Sequence, residues 1–216
     1  SLDRRQRQMC IRDSIDSASK LTQNTVFTDS ITYKDFKVFY KEKLKYKPKA
    51  LEEVVFIEKN KPYSDYSRIL TFRYISNLRN FKYPSIIFKP IGKTSDLEAN
   101  IFLSPKERFS MGFDLDFSHS NIQDFGFSLG SSFEIRNIFR GAEVLEVSIK
   151  NTLGSSSDIA SLESQLFNLY ELGADTQLKF PRIIFPVNLE ELIPKTMNPS
   201  TSINFNATLQ QNIGLD

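Results

Sequence analysis

The sequence contains no tryptophan, one cysteine (Cys10) and one histidine (His119). A single cysteine excludes an internal disulfide, and one histidine without a dense group of carboxylates does not form a metal site. No apolar run approaches the roughly 18 residues that a membrane helix requires. No apolar run follows the basic residues at the start, so no signal peptide is predicted. Any membrane role must therefore use β-strands or a surface contact.

The first fourteen residues, SLDRRQRQMCIRDS, account for the formal net charge of +2, because four arginines outnumber Asp3 and Asp13. The run MCIRDS resembles the translated end of a transposon adapter used in sequencing libraries. We therefore predict that Ser1–Ser14 is a non-native segment fused to a truncated reading frame, so that the native part lacks cysteine and its true N-terminus. The alternative is a basic arm that binds nucleic-acid phosphates.

Residues 15–108 read as a small module with one layer of helix on a sheet. Pro84 and Pro105 punctuate it, and Ser64 is placed to cap a helix. An exposed sheet edge in such a module could accept an extended peptide. The predicted elements are a helix-like stretch at Tyr33–Leu44, a strand at Val54–Ile57, a helix at Asp65–Phe81, and strands at Ser85–Phe88 and Leu97–Leu103.

From Phe109 onward, apolar and small polar residues alternate with period two, which predicts β-strands. The first strand places Phe109, Met111, Phe113, Leu115 and Phe117 on one face and Ser110, Gly112, Asp114, Asp116 and Ser118 on the other. Four further strands are predicted at Phe125–Arg136, Leu145–Lys150, Leu172–Phe180 and Ser202–Gln210.

Two architectures fit this alternation: a sandwich with inward apolar faces, or a membrane barrel with an apolar face toward lipid. Three features favour the barrel. The strands approach the 9–11 residues that cross a bilayer, and their polar faces are rich in Ser, Gly, Asn and Asp. The connections alternate between open (Ser120–Asp124, Ser155–Phe167) and tight (Asn137–Gly141). The alternation pattern alone does not exclude the sandwich.

Two groups of residues invite a catalytic interpretation. Asp114 and Asp116 lie about 7 Å apart along a strand, a spacing that a glycosidase pair could use. His119 stands between Ser118 and Ser120, but a Ser-His-Asp site needs three groups brought together. We favour a solvated barrel face for the two aspartates and a loop tip for His119. The sequence therefore predicts no catalytic residue, metal or cofactor.

The run RNIFRGAE after the second strand predicts a tight turn. We expect Gly141 to supply a positive φ, and Arg136, Arg140 and Glu143 to form ion pairs with one another. Four prolines (Pro181, Pro186, Pro194 and Pro199) fill the last long connection. Proline is excluded from paired central strands, so this connection is predicted to lie outside the membrane.

Several segments resemble the BamA/TamA family of outer-membrane assembly proteins. They are KLKYKPKALEEVVFIEKNKPYS, TFRYISNLRNFKYPSIIF, LEANIFLSPKERFSMGFDLDFSHSNI, RNIFRGAEVLEVSIKNTLGSS and FNLYELGADTQLKFPRIIFPVN. The resemblance as a whole covers about residues 29–216. The resemblance implies an α+β POTRA (periplasmic) module followed by the antiparallel strands of a truncated outer-membrane β-barrel. Residues 15–52 would end a preceding POTRA module, 53–107 would be the last one, and 108–216 would supply the first five strands of a sixteen-stranded barrel.

The resemblance also implies a non-enzymatic function, in which substrate β-strands pair with the exposed edge of Phe109–Ser118 and are released into the outer membrane. Arg136, Asn137, Phe139, Arg140, Gly141 and Glu143 would form a periplasmic turn. The implied partners are the outer-membrane bilayer, unfolded outer-membrane proteins, and periplasmic chaperones or accessory lipoproteins, with no nucleic acid. The alternatives are a TamA-like or two-partner translocation pore and a soluble β-sandwich binding module.

The chain departs from this family in one respect. The family's later lumenal loop with its arginine motif, and its closing strand, are not in this sequence. Five strands cannot close a barrel, because single-chain bacterial barrels use an even number of eight or more. We therefore expect the chain to be a fragment that is not active by itself.

Overall fold

The computed structural model describes residues 6–13, 29–93, 95–119, 125–155, 169–186 and 193–212. Among these residues, no helix combines the length and apolar character of a membrane span. The chain divides into two compact units. Unit 1 comprises Ser1–Glu107, Asn137–Glu143 and Phe180–Thr201, and unit 2 comprises Arg108–Arg136, Val144–Lys179 and Ser202–Asp216. Unit 1 is therefore assembled from three separate stretches of sequence.

The described residues of unit 1 form a mixed five-stranded sheet, two α-helices and a short 3₁₀ helix at Lys195–Met197. The strands in spatial order are β2 (Asp29–Tyr33), β3 (Phe36–Tyr40), β1 (Gln6–Asp13), β5 (Leu97–Pro105) and β4 (Phe81–Pro90). The helices are α1 (Pro48–Glu52) and α2 (Asp65–Asn77). β1 runs parallel to both β3 and β5, whereas the β2–β3 and β4–β5 pairs are antiparallel. Side chains from the sheet and both helices form one apolar core that includes Ile11, Val38, Leu51, Ile75, Ile101 and Leu103.

The α2 helix begins where its capping residue predicts. Ser64 Oγ accepts a hydrogen bond from the Ser67 backbone N–H at 3.3 Å, which satisfies one free donor of the first turn. The helix ends at Asn77 rather than at the predicted Phe81. Arg79 turns the chain with a φ of 58°, and Phe81 then begins β4. Pro84 lies inside β4, at a register shift where a ladder bond is not needed.

Two predicted elements of unit 1 are wrong. Tyr33–Leu44 is not helical, because the alternation of Phe36 and Val38 with Lys37 belongs to a hairpin, whose turn places Lys34 at a φ of 48°. Val54–Ile57 is not a strand. The Phe56 N–H instead donates to Thr71 Oγ1 at 3.0 Å, so that this buried segment packs on α2.

In unit 1, residues on both sides of position 53 belong to one sheet, because β2 and β3 share it with β4 and β5. The predicted domain boundaries stay a prediction. Gln6–Asp13, which we predicted to be non-native, form the central strand, and Ile11 is fully buried. Burial and a Cys10 Sγ to Glu98 Oε1 contact of 3.4 Å raise the pKa of Cys10 to about 11. The origin of residues 1–14 stays a prediction.

Unit 2 is a five-stranded sheet in the order β10–β9–β8–β7–β6, with each strand beside its sequence neighbour. Its strands are β6 (Phe109–Ser118), β7 (Phe125–Arg136), β8 (Val144–Ser155), β9 (Leu169–Phe180) and β10 (Thr201–Asn212). The three ladders from β6 to β9 are antiparallel. The five predicted strands are confirmed, and β8 and β9 extend several residues beyond their predicted bounds. This consecutive order is consistent with part of a barrel wall.

Candidate functional site: the β6 edge and the Asn137–Glu143 turn

The β6 strand presents a row of exposed apolar side chains. Phe109, Met111, Phe113, Leu115 and Phe117 lie on one face, with exposures from 55% to 72%. The ladder register aligns this row with apolar residues of β7, since Leu115 lies opposite Leu129 and Phe117 opposite Phe127. The apolar row continues across unit 2 through the exposed residues Leu129, Ile149, Ile203, Phe205 and Leu209. An uncovered apolar surface of this extent marks contact with lipid or another protein.

The opposite face of unit 2 is polar and interconnected. Near the Phe109 end of β6, Arg136 Nη2 donates to Ser110 Oγ at 3.1 Å and to Glu134 Oε2 at 2.5 Å. Near the other end, Lys150 Nζ lies 3.3 Å from Asp116 Oδ2. Side chains with these partners suit a wet surface, so the two faces of one sheet favour different surroundings.

The outer edge of β6 carries free backbone groups. Among the described strands, β6 pairs with β7 alone. The Arg136 N–H donates to the Arg108 carbonyl at 2.8 Å, and this pair continues the β6–β7 register. Because antiparallel ladders alternate, the even-numbered residues of β6 bond to β7 and the odd-numbered ones direct N–H and C=O groups outward. The exposed apolar side chains and the free backbone groups thus belong to the same residues.

The Asn137–Glu143 turn, which belongs to unit 1, is organised around the Glu143 carboxylate. Glu143 is fully buried. Its Oε2 accepts from the Gly141 and Phe139 backbone N–H groups at 2.9 and 3.2 Å, and its Oε1 accepts from Arg182 Nη2 at 2.8 Å. Burial alone would raise the pKa of Glu143, but backbone N–H donors and Arg182 together lower it. Glu143 therefore remains a carboxylate in the folded unit.

The predicted ion pairing among Arg136, Arg140 and Glu143 is wrong, because each has a different partner. Arg136 pairs with Glu134, Glu143 pairs with Arg182, and Arg140 Nη2 donates to the Leu44 carbonyl at 2.6 Å. Arg182 and Leu44 lie 39 and 96 positions from their partners in sequence, so no local spacing indicated those two contacts.

Gly141 does not have the positive φ that we expected. Positive φ values fall instead on Asn137, Arg140 and Ala142, at 59°, 65° and 63°. A Cβ at 141 would collide with the Glu143 carboxylate and approach Arg182 Nη1 to 2.5 Å. A side chain at 141 would therefore force the Glu143–Arg182 ion pair to shift.

Further contacts fasten this turn within unit 1. Asn137 Nδ2 donates to the Lys45 carbonyl at 2.9 Å, and the Lys47 N–H donates to the Arg140 carbonyl at 2.7 Å. The buried Asn80 side chain donates from Nδ2 to the Ala142 carbonyl at 2.9 Å. The turn is thus held by the segment that precedes α1 and by the connection between α2 and β4.

The connection between β9 and β10 also packs in unit 1. The Tyr74 hydroxyl donates to the Thr196 carbonyl, and Lys195 Nζ donates to the Val55 carbonyl at 2.8 Å while it lies over the Phe56 ring. The four prolines lie outside β9 and β10, as predicted. Sequence reasoning missed Arg182 and Lys195, because nothing in their local pattern separates them from other basic loop residues.

Among the described residues, the candidate catalytic residues do not assemble into an active site. Asp114 and Asp116 are exposed on the polar face, and Asp116 is engaged by Lys150. His119 is exposed just after β6, and Ser120 lies outside the described residues. Within the part of the chain that the structure describes, no three His, Cys, Asp or Glu residues are grouped to hold a metal ion.

No family model matches the chain, and no curated protein matches it. Among solved structures, it is similar to CdiB from Acinetobacter baumannii, with 10% identity and a TM-score of 0.48 over 82% of this chain and 26% of that chain. It is also similar to BamA from Haemophilus ducreyi lacking POTRA domains 1-3, with 11% identity and a TM-score of 0.33 over 84% of this chain and 40% of that chain. At these TM-scores neither similarity identifies a function. The chain spans less than half the length of either structure.

Proposed function

We propose that this chain is part of an outer-membrane protein assembly or insertion factor that binds substrate β-strands at the outer edge of β6. One observation carries the proposal: the same residues of β6 present exposed apolar side chains and outward-facing backbone groups. Lipid satisfies the side chains but not the backbone. An unpaired amide in hydrocarbon costs several kcal/mol by the usual estimate, so such an edge has a strong tendency to acquire a partner strand.

The mechanism follows from strand pairing. An incoming amphipathic strand adds to β6, hydrogen-bonds to the outward groups and places its own apolar side chains on the lipid side. Backbone hydrogen bonds supply the affinity, so many substrate sequences are accepted. This step requires no cofactor and no catalytic residue. The partners are accordingly the bilayer and unfolded outer-membrane proteins, with unit 1 as the POTRA-type periplasmic part.

Proline substitutions at neighbouring positions of β6 test this proposal. Leu115→Pro removes an outward N–H and blocks strand addition, whereas β6–β7 bonds are retained because proline is tolerated on a free edge. Asp114→Pro is the matched control that removes a bond to β7. The full chain, folded in detergent micelles, is mixed with a ten-residue peptide that alternates apolar residues with Ser or Thr and carries a photo-crosslinker.

We expect the wild-type chain to crosslink through β6. Leu115→Pro should reduce crosslinking by roughly tenfold, the effect of losing about one hydrogen bond plus a steric block, while its circular dichroism remains unchanged. Asp114→Pro should lose both crosslinking and β signal. Equal crosslinking of Leu115→Pro and wild type, or crosslinks that map to β10, would show that β6 is not the binding edge.

A further inference from the structure

Lys150 forms an ion pair that passes over a neighbouring strand. It lies on β8 directly opposite Gly130 of β7, and Gly130 lies opposite Asp114 of β6. The Lys150 ammonium reaches beyond β7 to Asp116 of β6, with an Nζ to Oδ2 distance of 3.3 Å. Since neighbouring strands lie about 4.8 Å apart, this contact links two strands separated by about 10 Å.

The residues directly beside Lys150 on both neighbouring strands are glycines, so no side chain at those positions blocks the lysine in either direction. On β9 its direct neighbour is Gly173, and on β7 it is Gly130. The nearest diagonal carboxylates, Glu171 and Asp175, are on the adjacent strand β9, yet the ion pair forms with β6. The missing side chain at 130 provides the path across β7.

The Lys150–Asp116 ion pair is a second side-chain contact that holds β6 to the rest of the sheet. The Phe109 end is already held to β7 by the Arg136 to Ser110 hydrogen bond. Like the rest of β6, the Ser118 end has ladder bonds to β7 alone, and the end of an edge strand tends to fray. The Lys150–Asp116 pair acts at that second end.

We propose that Lys150 is a positioning residue for the β6 edge. By holding Asp116 across Gly130, it keeps the Leu115–Ser118 end of β6 ordered and available to a substrate strand. This inference rests on the proposed function of that edge. Lys150 touches no substrate, and it acts through the order of β6.

Backbone amide exchange measures this role directly. In the full chain folded in micelles, Lys150→Met should raise the exchange rates of the Asp116 and Ser118 amides, which bond to β7, by about two- to fivefold, the range expected for one exposed ion pair, and leave those of Ser110 and Gly112 unchanged. Lys179→Met is the matched control, because it removes the same charge from the polar face of β9 at a residue with no ion pair among the described residues. It should leave β6 exchange unchanged.

Two further variants separate the contact from the charge. Gly130→Val keeps all charges but fills the path across β7, so it should reproduce the exchange pattern of Lys150→Met. The double variant Lys150→Asp with Asp116→Lys restores the pair in reverse and should return exchange toward wild type. Exchange rates that are the same in Lys150→Met and Lys179→Met would overturn the inference.

Peptide crosslinking then connects the contact to binding. We expect Lys150→Met to crosslink two- to fivefold less peptide than wild type, with loss of this effect at high salt because an exposed pair is screened. Raised exchange with unchanged crosslinking would overturn the positioning role. If wild type itself binds no peptide while the exchange pattern appears, the proposed function fails and the ion pair's structural effect stands.

Discussion

At the scale of single residues, Glu143 determines the local structure of its turn. A buried carboxylate is stable only when hydrogen bonds and a counter-charge replace its water. Glu143 obtains both from the Phe139 and Gly141 N–H groups and from Arg182. The same crowding favours glycine at 141.

We predict that Glu143→Gln destabilises unit 1 by about 3 kcal/mol at pH 7, because it leaves Arg182 without its carboxylate partner. The folded state lowers the pKa of Glu143 below its ordinary 4.5. Its stabilising contribution is therefore complete above that value and is lost as the pH falls through the folded-state pKa. Urea unfolding of wild type and variant should show a difference that narrows steadily below about pH 4.5.

The exposed Glu58 provides the control for this prediction. Glu58→Gln should change the unfolding free energy by less than about 0.5 kcal/mol, as is usual for surface substitutions. A gap between wild type and Glu143→Gln that stays constant down to pH 3 would mean that the carboxylate charge does not stabilise the turn.

At the scale of elements, β1 carries two conflicting indications. Its sequence resembles an adapter, and its position is the centre of the unit 1 sheet. The strand pairs with β3 on one side and β5 on the other, so its removal would leave two free edges and uncover Val38 and Ile101. The position of the strand in the sheet and the origin of its sequence are separate properties, and deleting the stretch tests what the strand contributes to stability.

We predict that deletion of residues 1–14 lowers the unfolding midpoint of unit 1 strongly, because it removes ladder bonds on two sides together with the fully buried Ile11. Urea unfolding of the full and shortened chains, followed by tyrosine fluorescence, measures the difference. An unchanged midpoint would show that the remaining residues fold without β1, as expected of a non-native segment.

The apolar face of β6 gives a second prediction at this scale. Phe113→Arg should cost about 2–4 kcal/mol of folding free energy in lipid, as for basic residues at the bilayer midplane. Asn206→Arg introduces the same side chain at a position of β10 that alternates with the exposed Phe205, and it should be mild. Folding into vesicles at increasing urea gives both values. A neutral Phe113→Arg would contradict a lipid-facing β6.

The elements that could be predicted are those with long, uniform periodicity. All five strands of unit 2 and the α2 helix follow from alternation and from Ser64. The helix prediction at the Phe36–Tyr40 strand is wrong because five residues are too few to distinguish the helical period from the strand period. The partners of Arg140, Glu143 and Asn80 could not be predicted, since they depend on distant segments that meet only in the folded chain.

At the scale of the whole molecule, unit 1 is discontinuous in sequence. The chain leaves it after Glu107, returns at Asn137–Glu143, leaves again and returns at Phe180–Thr201. The second and third stretches contribute to its interior, since Ala142 belongs to the apolar core and Lys195 reaches the Val55 carbonyl.

The discontinuous sequence of unit 1 constrains when this unit can fold during synthesis. The Lys195–Val55 and Tyr74–Thr196 hydrogen bonds join residues separated by 140 and 122 positions, so unit 1 cannot be completed until all of β6–β9 has been made. Contacts so distant in sequence slow folding, because the intervening chain must be ordered before they form. Unit 1 is therefore still incomplete while the exposed apolar strands of unit 2 are being made, and incomplete chains with exposed apolar surface are prone to aggregate.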